Sequence, residues 1–167
     1  MRHAIYLLLL LAGAGGAKWQ HFDARQTGAA PPSLSREMLA AHNAVRARVK
    51  VAPLAWSGPL AAVAQNWADT LLARKEFVHR PNSSYGENLF DVTGAAATPG
   101  QVVDGWAEES RDYDYQSNKC SRVCGHYTQI VWGDTKEVGC AVARGGGREV
   151  WVCEYDPPGN WVGKRPY

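Results

Sequence analysis

Glu137-Val138-Gly139-Cys140-Ala141-Val142-Ala143, Arg144-Gly145-Gly146-Gly147-Arg148 and Glu149-Val150-Trp151-Val152-Cys153-Glu154-Tyr155 read together as two strands and a turn. Val138, Cys140 and Val142 alternate, as do Val150 and Val152 or Trp151, Cys153 and Tyr155, the period-two pattern of a pleated strand. The glycine run between them is a turn signal. Pairing the strands makes a disulfide between Cys140 and Cys153 geometrically natural. The segments upstream carry helical spacing instead. Helices first and strands later predict an α+β fold with helices packed on an antiparallel sheet.

Working back towards the N-terminus, Thr98 caps a helix with Pro99 in its first turn. Val102, Trp106 and Tyr113 form its stripe, and Glu109 falls on the same stripe. Glu108 is turned about 100° away, because a helix has 3.6 residues per turn. An inward Glu109 needs partners, since a buried carboxylate is costly alone. An earlier helix opens at Ser57 with Pro59 in its first turn and runs to about Phe77. Its stripe is Leu60, Val63, Ala64, Trp67 and Leu71. The first helix starts near Ser35, with Met38, His42, Val45 and Val49 at helical spacing and Pro53 beyond its end.

The extreme N-terminus sets an expected compartment. Arg2 and His3 precede the apolar run Ile5 to Leu11, and small residues follow to Ala17. That order is a secretory signal peptide over residues 1–17, too short to span a bilayer. Residues 18–33 form a loose leader, and 34–167 a single domain. No later segment is long and apolar enough to be a transmembrane span. A net charge of +2 over 167 residues predicts no nucleic-acid partner. Four cysteines behind an export signal, Cys120, Cys124, Cys140 and Cys153, argue for disulfides, with three pairings open. A zinc site built from all four is the weaker reading. Asn82-Ser83-Ser84 is a glycosylation sequon.

Four dispersed polar residues carry the chemical interest: His79, Glu87, Glu109 and His126. Two imidazoles and two carboxylates can bind a divalent metal or move protons. No nucleophilic Ser or Cys with a partnered base is evident. If the chain were a hydrolase, His79 and His126 would hold an ion while Glu87 or Glu109 activated water. Pro157-Pro158-Gly159-Asn160 reads as a turn, with Trp161 packing on the core.

Gly125-His126-Tyr127-Thr128-Gln129-Ile130-Val131-Trp132-Gly133-Asp134-Thr135 and Trp151-Val152-Cys153-Glu154-Tyr155-Asp156-Pro157-Pro158-Gly159-Asn160-Trp161 resemble the two long signatures of the CAP superfamily. Tyr85-Gly86-Glu87-Asn88-Leu89 and Trp106-Ala107-Glu108-Glu109 resemble its two shorter ones. The plant pathogenesis-related group is the nearest in pattern. The resemblance implies an α-β-α sandwich whose central antiparallel sheet is flanked by helices. It implies that His79, Glu87, Glu109 and His126 share one cleft that can hold zinc or another divalent cation, with no cofactor required. It implies a secreted, monomeric, defence-related protein that binds sterol or another lipid, with Val92 and residues 95–97 bordering the groove. A non-catalytic signalling module, with release of the C-terminal peptide Pro157–Tyr167, is the alternative. Two cysteines of the plant pattern are missing, one just before His79 and one near Gly145. The resemblance leaves Cys120 paired with Cys124 and Cys140 with Cys153. Glu154 departs from the pattern, which has Asn or a small polar residue there.

Overall fold

The structure is a computed structural model and describes residues 32–167; the expected signal peptide and most of the leader lie outside the described residues. Helix α1 spans Pro32–Arg48 and so opens three residues before Ser35, inside the expected leader. Arg46 and Arg48 in its last turn suit the negative helix end. Asn43 then pins the departing chain, accepting from Leu54 N at 2.7 Å and donating to Leu54 O at 3.1 Å. Strand β1 is the short Ala55–Trp56.

Helix α2, Gly58–Arg74, starts after Ser57 with Pro59 in its first turn as expected. It stops three residues before Phe77, because Lys75 takes a left-handed conformation and its N–H returns to the Leu71 and Leu72 carbonyls. The buried stripe is Leu60, Ala61, Ala64, Ala68 and Leu71, while Val63 and Trp67 are only half-buried. Close approach explains the shift towards alanine. A Cβ on Gly139 would lie 2.2 Å from the Ala61 backbone nitrogen, so only small side chains fit between this helix and the sheet.

Strand β2 covers Gly86–Thr93, and α3 covers Pro99–Ala107. A capping box closes the start of α3, with Thr98 and Gln101 each bonding the other's backbone N–H. A 3₁₀ turn over Glu108–Asp112 and the small hairpin β3 (Tyr113–Asp114) and β4 (Lys119–Cys120) follow. Next come the one-and-a-half-turn helix α4, Gly125–Ile130, and strands β5, Glu137–Gly145, and β6, Arg148–Asp156. The turn between the last two is tighter than expected. Gly146 and Gly147 alone connect them, at φ of 58° and 76°, the left-handed pair that a two-residue hairpin requires.

The main sheet runs β1-β5-β6-β2. Its three long strands are antiparallel, as expected, and the two-residue β1 joins β5 in parallel. One face carries Val138, Cys140, Trp151, Cys153 and Tyr155 into a core with Met38 and Val45 of α1, Trp106 of α3 and Ile130 of α4. The other face carries Leu89, Ala141, Val150 and Val152 against Ala64, Ala68 and Leu71 of α2. This is the helix–sheet–helix layering that the fold class predicts. Two disulfides, Cys120–Cys124 and Cys140–Cys153, use all four cysteines, and the second joins facing residues of β5 and β6. The four-cysteine zinc reading is therefore closed.

The tail also differs from expectation. Pro157 is a bend, the turn lies at Val162–Gly163, and Trp161 is 57% exposed rather than packed on the core. Buried Trp132 packs against this segment instead: a Cβ on Gly159 would lie 2.8 Å from it. Hydrogen bonds to tail carbonyls and one ring stack hold the tail. Gly133 N donates to Pro166 O at 2.6 Å and Thr135 Oγ1 to Pro157 O at 2.8 Å, while the Tyr167 ring stacks on Tyr115 at 4.8 Å.

Candidate functional site: two histidine–carboxylate pairs

His79 lies in the loop after α2, and Glu87 is the second residue of β2. His79 Nδ1 and Glu87 Oε1 are 2.6 Å apart, and the same oxygen accepts from Arg80 N at 3.1 Å. The imidazole is 66% exposed while the carboxylate is 5% exposed. The hydrogen bond to Glu87 raises the His79 pKa above its ordinary value against the opposing pull of partial burial.

Glu109 and His126 make a second pair of the same kind. His126 Nδ1 lies 2.6 Å from Glu109 Oε1, and Glu109 Oε2 accepts from His126 N at 2.9 Å and Tyr127 N at 3.3 Å. Glu109 thereby serves the free N–H groups opening α4 as well as the imidazole. The inward choice of Glu109 over Glu108 holds, but the helical stripe does not explain it. Helix α3 has already ended, and the 3₁₀ turn swings Glu109 inward while Glu108, 67% exposed, pairs with Arg111. The His126 ring stacks on Trp106 at 6.1 Å and 22°.

Asn88 joins the pairs. Its Nδ2 donates to His126 O and to Tyr155 Oη, each at 3.1 Å, while its chain neighbour is Glu87. Tyr155 Oη in turn lies 2.9 Å from His42 Nε2, and His42 Nδ1 lies 2.7 Å from Met38 O. A buried polar string thus runs from α1 through β6 and β2 to the backbone of the second histidine. Burial lowers the His42 pKa to about 4. His42 stands on the expected α1 stripe, and nothing in that spacing separates such a histidine from an apolar core residue.

No three of the four candidate residues have ligand atoms within 4.8 Å of one another; they stand as two pairs. Among the described residues, only His42, Cys140 and Cys153 meet that condition. Both sulfurs are in a disulfide and both ring nitrogens are engaged, so that group holds no metal. Each candidate histidine, by contrast, has Nδ1 held by a carboxylate, which fixes the tautomer and leaves Nε2 as the ligating atom. By residue type, two such imidazoles with two carboxylates match the donors a divalent ion takes.

Three further residues shape the site. Glu154 faces Glu87 across β6 and β2, is fully buried, and accepts from Arg80 Nε at 3.1 Å. Burial raises its pKa to about 7; the Glu87 charge adds to this and Arg80 opposes it. Gln129 fills the gap between two chain crossings. Its Oε1 accepts from Gly159 N at 3.0 Å, and a Cβ on Gly86 would meet the same atom at 2.2 Å. Asn82 is exposed in the His79 loop. Away from the pairs, a surface concavity of about 390 Å³ is lined by Gly94, Ala95, Ala96, Arg144, Arg148 and Glu149, among others.

Residues 39–155 match the Cysteine-rich secretory protein family, CAP. Pathogenesis-related protein 1A of Nicotiana tabacum is 46% identical over 135 residues, 79% of this chain and 80% of that protein. Pathogenesis-related protein 1 of Arabidopsis thaliana is 37% identical over 166 residues, 96% and 95% of the two chains. Among solved structures, Schistosoma mansoni venom allergen-like protein 4 superposes with a TM-score of 0.68 at 28% identity, covering 80% of this chain and 92% of that one. NaASP2, solved with Zn2+, gives a TM-score of 0.70 at 25% identity, covering 82% and 86%. No helix among the described residues is long and apolar enough to cross a membrane. With more than half its length matched and close relatives over most of it, the chain belongs to the cysteine-rich secretory protein (CAP) family.

Proposed function

We propose that this protein is an exported, defence-related CAP protein of the pathogenesis-related type that binds a divalent cation between His79 and His126. The carrying observation is the matched pair of imidazoles, each with Nδ1 2.6 Å from a buried or half-buried carboxylate oxygen. Such carboxylate–histidine pairs raise ligand basicity and aim Nε2. Zinc in the NaASP2 structure, in a protein 25% identical, supports the same chemistry here. Titrating Zn2+ into metal-free protein at pH 7.5, followed by calorimetry, should give one ion per chain. His79→Ala and His126→Ala should each abolish that binding; unchanged binding in both variants would refute the reading. Because Glu87 raises the His79 pKa, the ion must displace a proton more often as pH falls, so affinity should rise with pH through that range.

A lipid partner is the second reading, supported by the concavity floored by Gly94, Ala95 and Ala96. Its Gly94–Ala96 border suits part of a sterol or acyl chain, with Arg144, Arg148 and Glu149 facing a polar end. A labelled sterol should bind saturably, and Ala96→Asp should remove the binding without changing zinc affinity. Non-saturable uptake would count against this reading. The exposed Asn82 sequon fits glycan attachment on export, to be read as a mass shift on glycosidase treatment.

A further inference from the structure

The loop that carries His79, residues 75–85, has no helix or strand, and neither disulfide reaches it. Side chains anchor it to the sheet. Glu87 Oε1 accepts from both His79 Nδ1 and Arg80 N, and Arg148 Nη2 donates to Glu76 O at 2.8 Å. Arg80 reaches furthest. Its Nε donates to Glu154 on β6, its Nη2 donates to Ser83 Oγ at 2.8 Å, and its guanidinium lies 5.8 Å over the Tyr85 ring. Glu154 and Glu87 face each other in register, 0% and 5% exposed, and each has its Oε2 buried without a partner. Arg80 therefore touches both neighbouring buried carboxylates, Glu154 through its guanidinium and Glu87 through its backbone N–H.

We propose that Arg80 and Glu154 are positioning residues for His79, a non-covalent clasp between the loop and the middle of the sheet that sets where the imidazole stands. The binding arm of its test rests on the cation reading above. The clasp is asymmetric. Arg80, 27% exposed, can turn to water if Glu154 is lost. Glu154 cannot, so losing the guanidinium leaves its buried carboxylate without a cationic partner beside Glu87. Arg80→Gln should therefore disturb His79 more than Glu154→Gln does. Removing both charges should recover most of what Arg80→Gln loses.

The experiment measures Zn2+ affinity and amide hydrogen exchange across residues 75–85 in the intact protein at pH 8. Variants are Arg80→Gln, Glu154→Gln, the double variant, and Val103→Ala as a destabilised control with its contacts in the other core. Arg80→Gln should weaken zinc about 10–100-fold, the range for residues that orient metal ligands. It should also speed loop exchange, while Val103→Ala lowers the melting temperature without either change. The double variant should bind within a few-fold of Glu154→Gln. Additive losses, or unchanged affinity and exchange in Arg80→Gln, would overturn the clasp. If the wild type binds no zinc, the cation reading falls, and loop exchange alone still decides whether Arg80 and Glu154 hold the loop.

Discussion

The two histidine–carboxylate pairs have the same contact distance and different foundations. At the Glu109–His126 end, secondary structure makes the pair: the acid also serves the opening of α4, and the imidazole stacks on buried Trp106. At the His79–Glu87 end, only the acid sits on a strand, and the imidazole belongs to an irregular, exposed loop. The first pair is preorganised by packing and the second by charge. Identical local chemistry therefore predicts unequal sensitivity: fold stability should track the first pair and site occupancy the second.

Acid gives the largest expected effect. Folded His42 is neutral down to about pH 4, whereas the unfolded chain takes up its proton near pH 6.5. The unfolded state binds more protons in that window, so His42 contributes stability at pH 7 that is lost as pH falls from about 6.5 to 4, about 3 kcal/mol in all. Denaturant titrations at pH 7 and 4.5 measure this, and His42→Gln should flatten the slope. Because His42 leads through Tyr155 and Asn88 to His126, exchange near α4 should rise first.

Glu109→Ala removes three hydrogen bonds and the cap of α4, and should cost about 2–3 kcal/mol by urea unfolding. Asn88→Ala leaves His126 O and Tyr155 Oη without this donor and should cost about 2 kcal/mol. It should also weaken zinc by loosening the tie between the pairs. Glu108→Ala should change stability by under about 0.5 kcal/mol and leave zinc untouched, because its pairing with Arg111 is exposed. Equal stability losses from Glu109→Ala and His79→Ala would erase the contrast between the two ends.

Legibility divides along similar lines. The β5–β6 hairpin and the starts of α2 and α3 are plain in the chain because their signals are local: alternation, Ser57 and Thr98, and prolines in the first turns. Strand β2 escapes reading because Glu87, Asn88 and Asp91 interrupt its apolar alternation for the sake of the site. Helix α4 is too short for periodicity to register. Glu109 is selected by a stripe that stops two residues before it, and its inward aim comes from the 3₁₀ turn. The pairing of Arg80 with Glu154 spans 74 residues and exists only through the register of β2 on β6, which no local pattern encodes. Family resemblance names the four site residues, but it does not say that they stand as two pairs.

A structure of the protein grown with Zn2+ at neutral pH, read at the zinc absorption edge, tests the joint site most directly. Two differently anchored imidazoles acting on one ion predict a single anomalous peak about 2.0–2.1 Å from Nε2 of both His79 and His126. A peak on one imidazole alone, or none at either, would contradict it.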